Sequence, residues 1–348
     1  MRSKTFRESY REDMRIFQTI WVRSWFGIFC LIFLSLPFWA DPYIIYMVNI
    51  SGIAIIAALG LNILTGLTGQ ISLGHAAFVA LGAYTSAILA SRLNMPFWIS
   101  IPAGGFIAAL FGILLGFPCL RLKGLYLAMA TMSFGVVVEY MVTHWEGLTM
   151  GVRGISVPAP ALFGYPLGDQ SRFFYVTILL VAVLTLTAKN IARTRMGRAF
   201  VAIRDRDIAA EVVGVNLTKY KVMAFAISSF YGGIAGGLYS YVTTYLHPEN
   251  FNLLLSIEYI AMIIVGGLGS ILGSIIGAVF LTVMPDIIKS AADIMGRHFS
   301  FLQGRYDEEW NVAAFGLLIM IFLIVEPRGL SGIWSRIKTS FRNWPFTY

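Results

Sequence analysis

The sequence predicts an all-α polytopic membrane protein of about ten transmembrane helices, and three observations predict it. Of its 348 residues, 57% are hydrophobic and only 13% charged, too few charges for a soluble chain of this length to cover its surface. Apolar runs approaching the ~20 residues that cross a bilayer recur along the chain. The Lys and Arg residues behind the net charge of +8 collect in a few segments between those runs. That clustering orients helices in a membrane and does not build a nucleic-acid surface.

The first element is a leader over 1–24. Arg2, Lys4, Arg7, Arg11, Arg15 and Arg23 stud it before any apolar core begins, so no cleavable secretory signal is expected. Phe6, Tyr10, Met14, Phe17 and Trp21 recur at helical spacing between those charges, which predicts an amphipathic cytoplasmic helix in the membrane interface. Apolar spans follow at 25–40, 43–64, 76–91, 97–118, 125–143, 173–188, 222–246, 253–265, 271–288 and 312–325. Together they make a transmembrane domain over 25–326, followed by a basic tail over 327–348. The two cysteines, Cys30 and Cys119, fall in or at the edge of apolar runs, where a disulfide has little support.

Placing the N-terminus in the cytoplasm puts the basic segments there as well. They are Arg121 with Lys123, the stretch 189–221 with eight Lys and Arg, and the tail with Arg328, Arg336, Lys338 and Arg342. Both termini are then cytoplasmic, and 144–172 is an ordered outer loop carrying Pro158, Pro160 and Pro166. Ten spans divided into two halves of five would run in opposite directions, the inverted repeat common in transporters. Glycine-rich starts of spans occur in both halves, GLTGQISLGH in one and GGLGSILGSIIG in the other.

The residues that could carry chemistry are few. No GxxxxGK[ST] phosphate cradle or HExxH metal pattern occurs, and the four histidines are scattered. No catalytic group, metal site or cofactor site is expected in this chain, and the glycine spacing of GGLGSILG does not fit a dinucleotide loop. Gly233 with Gly237, Gly112 with Gly116, and Gly269, Gly273 and Gly277 are spaced by four, which predicts close helix packing. Glu139 lies inside a span and Glu258 near the start of another; an ionisable group at that depth faces the protein interior or a wet cavity. For Glu139 both a proton-coupling role and a snorkelling or capping role stay open.

Residues 62–84 raise the sharpest question, because Thr65, Thr68, Gln70, Ser72 and His75, with Gly66, Gly69 and Gly74, stand where a span should begin. Irregular backbone at membrane depth is tolerated only against protein or a cavity. The stretch 66–75 therefore reads as an irregular helix start beside a pathway. Among the basic loops, 205–213 has the pattern of a short helix with Ile208, Ala209, Val212 and Val213 as contacts and Gly214 as its stop. Such a helix is too short to stand alone. It packs on its own spans or docks on another protein, and composition does not choose.

At this loop the chain resembles ABC importer permeases, whose EAA-type segment docks on an ATP-binding subunit. More closely it resembles the LivM-like permease subunits of branched-chain amino acid ABC transporters. The resemblance rests on NILTGLTGQISLGHAAFVALGAY, LRLKGLYLAMATMSFG, LTMGVRGISVPAPALFG, MGRAFVAIRDRDIAAEVVGVN, IVGGLGSILGSIIGA and EPRGLSG, in the family's order. It departs from the family at Met150, Ser270 and Ser274. The resemblance implies an ATP-driven importer of Leu, Ile and Val in the bacterial inner membrane. Its expected partners are a second, LivH-like permease, two ATP-binding subunits that hold ATP and Mg, and a periplasmic substrate-binding protein. It also implies that 189–221 is the coupling loop, with Asp207, Ala209, Ala210, Glu211 and Gly214 as its contacts. Thr65, Gln70, Ser72, His75, Thr131, Glu139, Thr149 and Gly151, in the matching stretches and the span beside them, become candidates for the translocation path. Related permeases take urea, amides or other amino acids. A stand-alone ion-coupled carrier, using Glu139 and His75, would have no need of the coupling loop.

Overall fold

A computed structural model describes residues 32–162, 165–298 and 329–343, with isolated positions at 24, 27, 316, 317, 320, 322, 324 and 326. Most of the leader, residues 25, 26 and 28–31 of the span expected at 25–40, and most of that at 312–325 lie outside the described residues. Among the described residues, seven helices are long and apolar enough to cross a membrane. The chain is therefore a mostly helical, multi-pass membrane protein.

The helices follow in chain order. Helix α1 is Pro42–Leu61, α2 is His75–Arg92, α3 is Phe97–Cys119, α4 is Leu125–His144 and α5 is Gln170–Arg193. Two short helices in the basic loop come next, α6 at Arg195–Asp205 and α7 at Asp207–Val212. The remainder are α8 at Leu217–Thr243, α9 at Leu253–Gly266, α10 at Ile271–His298 and α11 at Gly329–Asn343. A two-residue strand, Ile155–Ser156, pairs antiparallel with Tyr245–Leu246 and ties the loop after α4 to the end of α8.

Helix α1 is the central element. Pro42 at its first turn supplies a preset φ without losing a needed hydrogen bond. The helix is apolar on every side because α5, α8, α9 and α10 surround it. Helix α2 is less apolar than the spanning helices, yet most of it is buried against α3, α8 and α4. It is a protein-facing helix, which is why the span expected at 76–91 is not among the seven.

Glycine lets α2, α3 and α8 touch backbone to backbone. A Cβ on Gly82 would lie 2.1 Å from the Gly233 carbonyl oxygen, and one on Gly236 would lie 1.9 Å from that of Val79. Gly104 fills the same role toward Gly82, at 2.6 Å. The expected packing at Gly233, Gly237 and Gly112 is therefore present. For the third set the face differs: Gly273 and Gly277 pack on α9, but Gly269 has φ +79° and sits in the turn before α10.

The basic loop differs from the expected single helix over 205–213. The chain breaks at Arg206, which has extended φ and ψ, so α6 ends at Asp205 and α7 begins at Asp207. Helix α6 is amphipathic, burying Ala199, Phe200 and Ile203, as a helix lying along the ends of the bundle requires.

Candidate functional site

The irregular stretch begins where α1 loses its regular bonding. Past Leu61 the helix widens into a π-type turn, Asn62–Leu67, and then opens. Carbonyl groups freed by such a break must find other donors in an apolar setting. Thr68 Oγ1 donates to the Ile63 and Leu64 oxygens at 2.9 and 2.8 Å. Thr65 Oγ1 donates to the Gln70 oxygen at 3.0 Å. The threonines of the motif thus satisfy the broken backbone from within.

The chain next doubles back beside α1. His75 Nε2 lies 3.0 Å from the Ala57 oxygen, near the middle of the Pro42–Leu67 span. A carbonyl only accepts, so Nε2 carries the proton. The His75 ring is fully buried, edge-on to Tyr259, and its Nδ1 has no partner. Ser72 and Gln70 are also buried, each with a side-chain polar atom left unpartnered. Buried polar atoms of this kind are uncommon and mark a place where a further donor or acceptor fits.

A second interruption approaches from the other side of the protein. After the Tyr245–Leu246 strand a 3-10 turn, Pro248–Phe251, leads to Asn252, whose side chain accepts from Leu255 N at 3.1 Å and caps the start of α9. Phe251 packs against Tyr84 and Tyr239, which seats this start inside the bundle. Helix α9 ends near Gly269, which meets the end of the α1 span, whereas α2 leads away from that end. The two short helices therefore run in opposite directions with their N-termini together. The Ala76 amide donates to Ser256 Oγ at 3.0 Å across the junction.

A small cleft lies at this meeting point. Leu73, Ala76, Phe251 and Ser256 line it from the two helix starts, and Met132, Val136 and Glu139 line it from α4. It combines the positive ends of two helix dipoles with one carboxylate and an apolar wall. That composition suits a small molecule carrying both charges and an aliphatic group.

The other expected path residues have different placements. Thr131 is buried on α4, donates to the Ala128 oxygen and accepts from the Leu73 amide at 3.0 Å, so it holds the irregular stretch in place. Thr149 Oγ1 donates to the Val142 and Trp145 oxygens, and Gly151 has φ +57° with the Thr143 oxygen close by. Both shape the turn after α4, and neither lines the cleft. Ser256 and Asn252 were absent from the sequence-based candidates. Nothing local in the sequence singles them out.

The residues expected to form a coupling loop gather on α7 and the turn after it. Asp207 pairs with Lys123 Nζ at 2.5 Å and with Lys221 Nζ at 3.9 Å. The Lys123 ammonium, by donating to it, holds the Asp207 carboxyl below its ordinary range. Because the folded value is depressed, this anchoring is present above the unfolded value of about 4 and is lost as pH falls through the lowered folded value. Amide exchange across α7, corrected for its intrinsic pH dependence, should therefore be slow at neutral pH and speed up below that window. In Asp207→Asn the protection should be low at both; a pH-independent wild-type pattern counts against the anchor. Ala210 is buried, whereas Ala209 and Glu211 are exposed, and Gly214 closes the helix at φ +92°.

A family model described as branched-chain amino acid transport system / permease component matches residues 43–324. The chain is 33% identical over 318 residues to the high-affinity branched-chain amino acid transport system permease protein LivM of Salmonella typhimurium, covering 84% of this chain and 71% of that protein. Identity to LivM of Escherichia coli is 32% over the same shares. To LivH of Salmonella typhimurium it is 24% over 298 residues, 79% of this chain and 90% of that protein. No solved structure matches.

Proposed function

The chain belongs to the branched-chain amino acid transport system / permease component family, and from that premise we propose that it is a permease subunit of an ABC importer for Leu, Ile and Val. It is not itself an enzyme. The observation that carries the reading is the cleft where the starts of α2 and α9 meet opposite Glu139. A zwitterion cannot cross lipid unaided, because its charged ends lose hydration without replacement. Here the helix starts are offered to the carboxylate, Glu139 to the ammonium, and Met132, Val136 and Phe251 to the side chain.

In this reading the chain crosses the inner membrane about ten times, as two inverted halves with both termini cytoplasmic. Two oppositely directed interrupted helices, one from each half, support that symmetry. The partners are a second, LivH-like permease, two ATP-binding subunits holding ATP and Mg, and a periplasmic binding protein. ATP drives the cycle only by binding states that favour one permease conformation over the other, and α7 supplies the contact through which it does so.

The test is uptake of labelled leucine by the complex reconstituted in vesicles with its binding protein. Glu139→Gln should lower uptake by about tenfold or more, the scale of one lost charge-assisted hydrogen bond. Uptake of urea or a neutral amide at the leucine rate, with Glu139→Gln unaffected, would overturn the substrate assignment.

A further inference from the structure

Arg204 occupies a position that the translocation cleft and the docking helix leave unexplained. It lies in the last turn of α6, two residues before the break that starts α7. Its Nη1 donates at 2.9 Å to the Gly66 oxygen, in the π-type turn where α1 comes apart. Its stem runs against Gly69, where a Cβ would lie 2.9 Å from Arg204 Cγ, and its Nη1 lies 3.2 Å from the Cβ position of Gly269. Gly69 and Gly269 both have positive φ, +72° and +79°.

The two glycine-rich motifs meet at this point. The Gly269 amide donates to Asn62 Oδ1 at 2.8 Å, and a Cβ on Gly66 would lie 2.6 Å from the Gly269 nitrogen. One guanidinium therefore sits in a notch cut by glycines of both interrupted regions, and it is carried on the helix that leads into α7. Downstream of Gly66 the chain runs directly into the start of α2; upstream of Gly269 it is the end of α9. The segment that leads into α2 and the turn that follows α9 thus both touch one side chain from the segment that leads into α7. Asp205 Oδ1, at 3.3 Å from Nε and Nη2, steadies the planar fork.

We propose that Arg204 is a positioning residue that transmits movement of the docking helix to the two helix breaks, and so to the cleft. This inference rests on the importer reading above. A carbonyl near the end of a helix is a strong site for a cation and a donor, and a two-residue lever from α7 moves the guanidinium with the docking helix. Substitution of residues on such connections changes coupling between sites without contact to either ligand.

The experiment uses the full complex in vesicles and reads leucine uptake and ATP hydrolysis together. Arg204→Ala should lower transport per ATP hydrolysed by about tenfold while hydrolysis continues. Arg204→Lys, which keeps the charge and loses the fork, should recover part of the ratio. Hydrogen exchange in the wild-type complex should change at residues 66–74 when ATP binds, and the change should be lost in Arg204→Ala. A ratio unchanged in Arg204→Ala, or an ATP-dependent change that persists in it, overturns the proposal. If Arg204→Ala fails to assemble, the wild-type exchange still decides, since no response at 66–74 also overturns it. Failure of the wild-type complex to couple hydrolysis to uptake would instead count against the importer reading.

Discussion

Gly74→Val is expected to abolish uptake while leaving the subunit in the membrane. A Cβ at Gly74 would lie 2.0 Å from the Thr131 carbonyl oxygen and 2.8 Å from its carbonyl carbon. Both are backbone atoms in the middle of α4, so relief comes only by moving the start of α2 away from that helix. Such a movement breaks the Leu73 amide's bond to Thr131 Oγ1 and the Ala76 amide's bond to Ser256 Oγ. Each buried donor left unpaired costs about 1–3 kcal/mol, and the overpacking itself about 1–3 kcal/mol. The disturbance falls at the meeting point of the two helix starts, so leucine uptake per inserted subunit should drop by at least about a hundredfold, the tenfold per 1.4 kcal/mol scale applied to these costs. Gly147→Ala is the matched control, because a Cβ there meets nothing within 4 Å, and it should transport normally. Near-normal uptake by Gly74→Val would remove the argument that this contact shapes the pathway.

Why some of this architecture is legible in the sequence and some is not follows from particular residues. Helices α1, α3, α4, α5, α8 and α10 are readable because lipid-facing or centrally buried spans carry nearly continuous apolar runs. The irregular start at 66–75 is readable because Thr, Gln and Gly are costly there unless the backbone is broken. Its detail is not, since nothing local says that Thr68 serves Ile63 and Leu64 or that His75 reaches back to Ala57. Helix α2 is read as a span because its composition is apolar, although its neighbours are almost all protein.

The cleft is legible only in half. Glu139 is visible because an ionisable group inside a span stands out, and Leu73 and Ala76 because they fall in or beside the irregular motif. Ser256 is an ordinary serine in an apolar helix until the fold brings it to the Ala76 amide from 180 positions away. Thr149 is a polar residue in a recognisable stretch, yet its hydroxyl is used in the turn after α4. Composition cannot separate a threonine that faces a pathway from one that closes a loop. Arg204 likewise reads as one more positive charge on a cytoplasmic loop; its contact with Gly66 depends on how α6 lies along the bundle.

The double substitution Ile208→Asp with Val212→Asp is expected to uncouple the transporter with little effect on the stability of the subunit. Ile208 and Val212 are 72% and 83% exposed, and Val213 beside them is 84% exposed. Only Ala210 of α7 is buried against the chain, so the helix holds its place by Asp207's ion pairs and the Gly214 turn and offers its apolar face outward. Six residues are too few to form a stable helix by propensity; the outward face gains its stabilisation when another surface covers it. Burying a large aliphatic side chain contributes about 1.5–3 kcal/mol, so losing two, and placing carboxylates there, removes several kcal/mol from docking. Uptake should fall below detection, and the affinity of the purified subunit pair for the ATP-binding subunits should weaken by about a hundredfold or more. Glu211→Lys should also impair docking, since its side chain is exposed on the same helix. Gly214→Val should do less: the space around it is open, and the loss comes from φ +92°, which costs a side chain about 1–2 kcal/mol. If the double variant assembles with unchanged affinity and full uptake, α7 is not the docking element, and its exposed face must be covered by something other than an ATP-binding subunit.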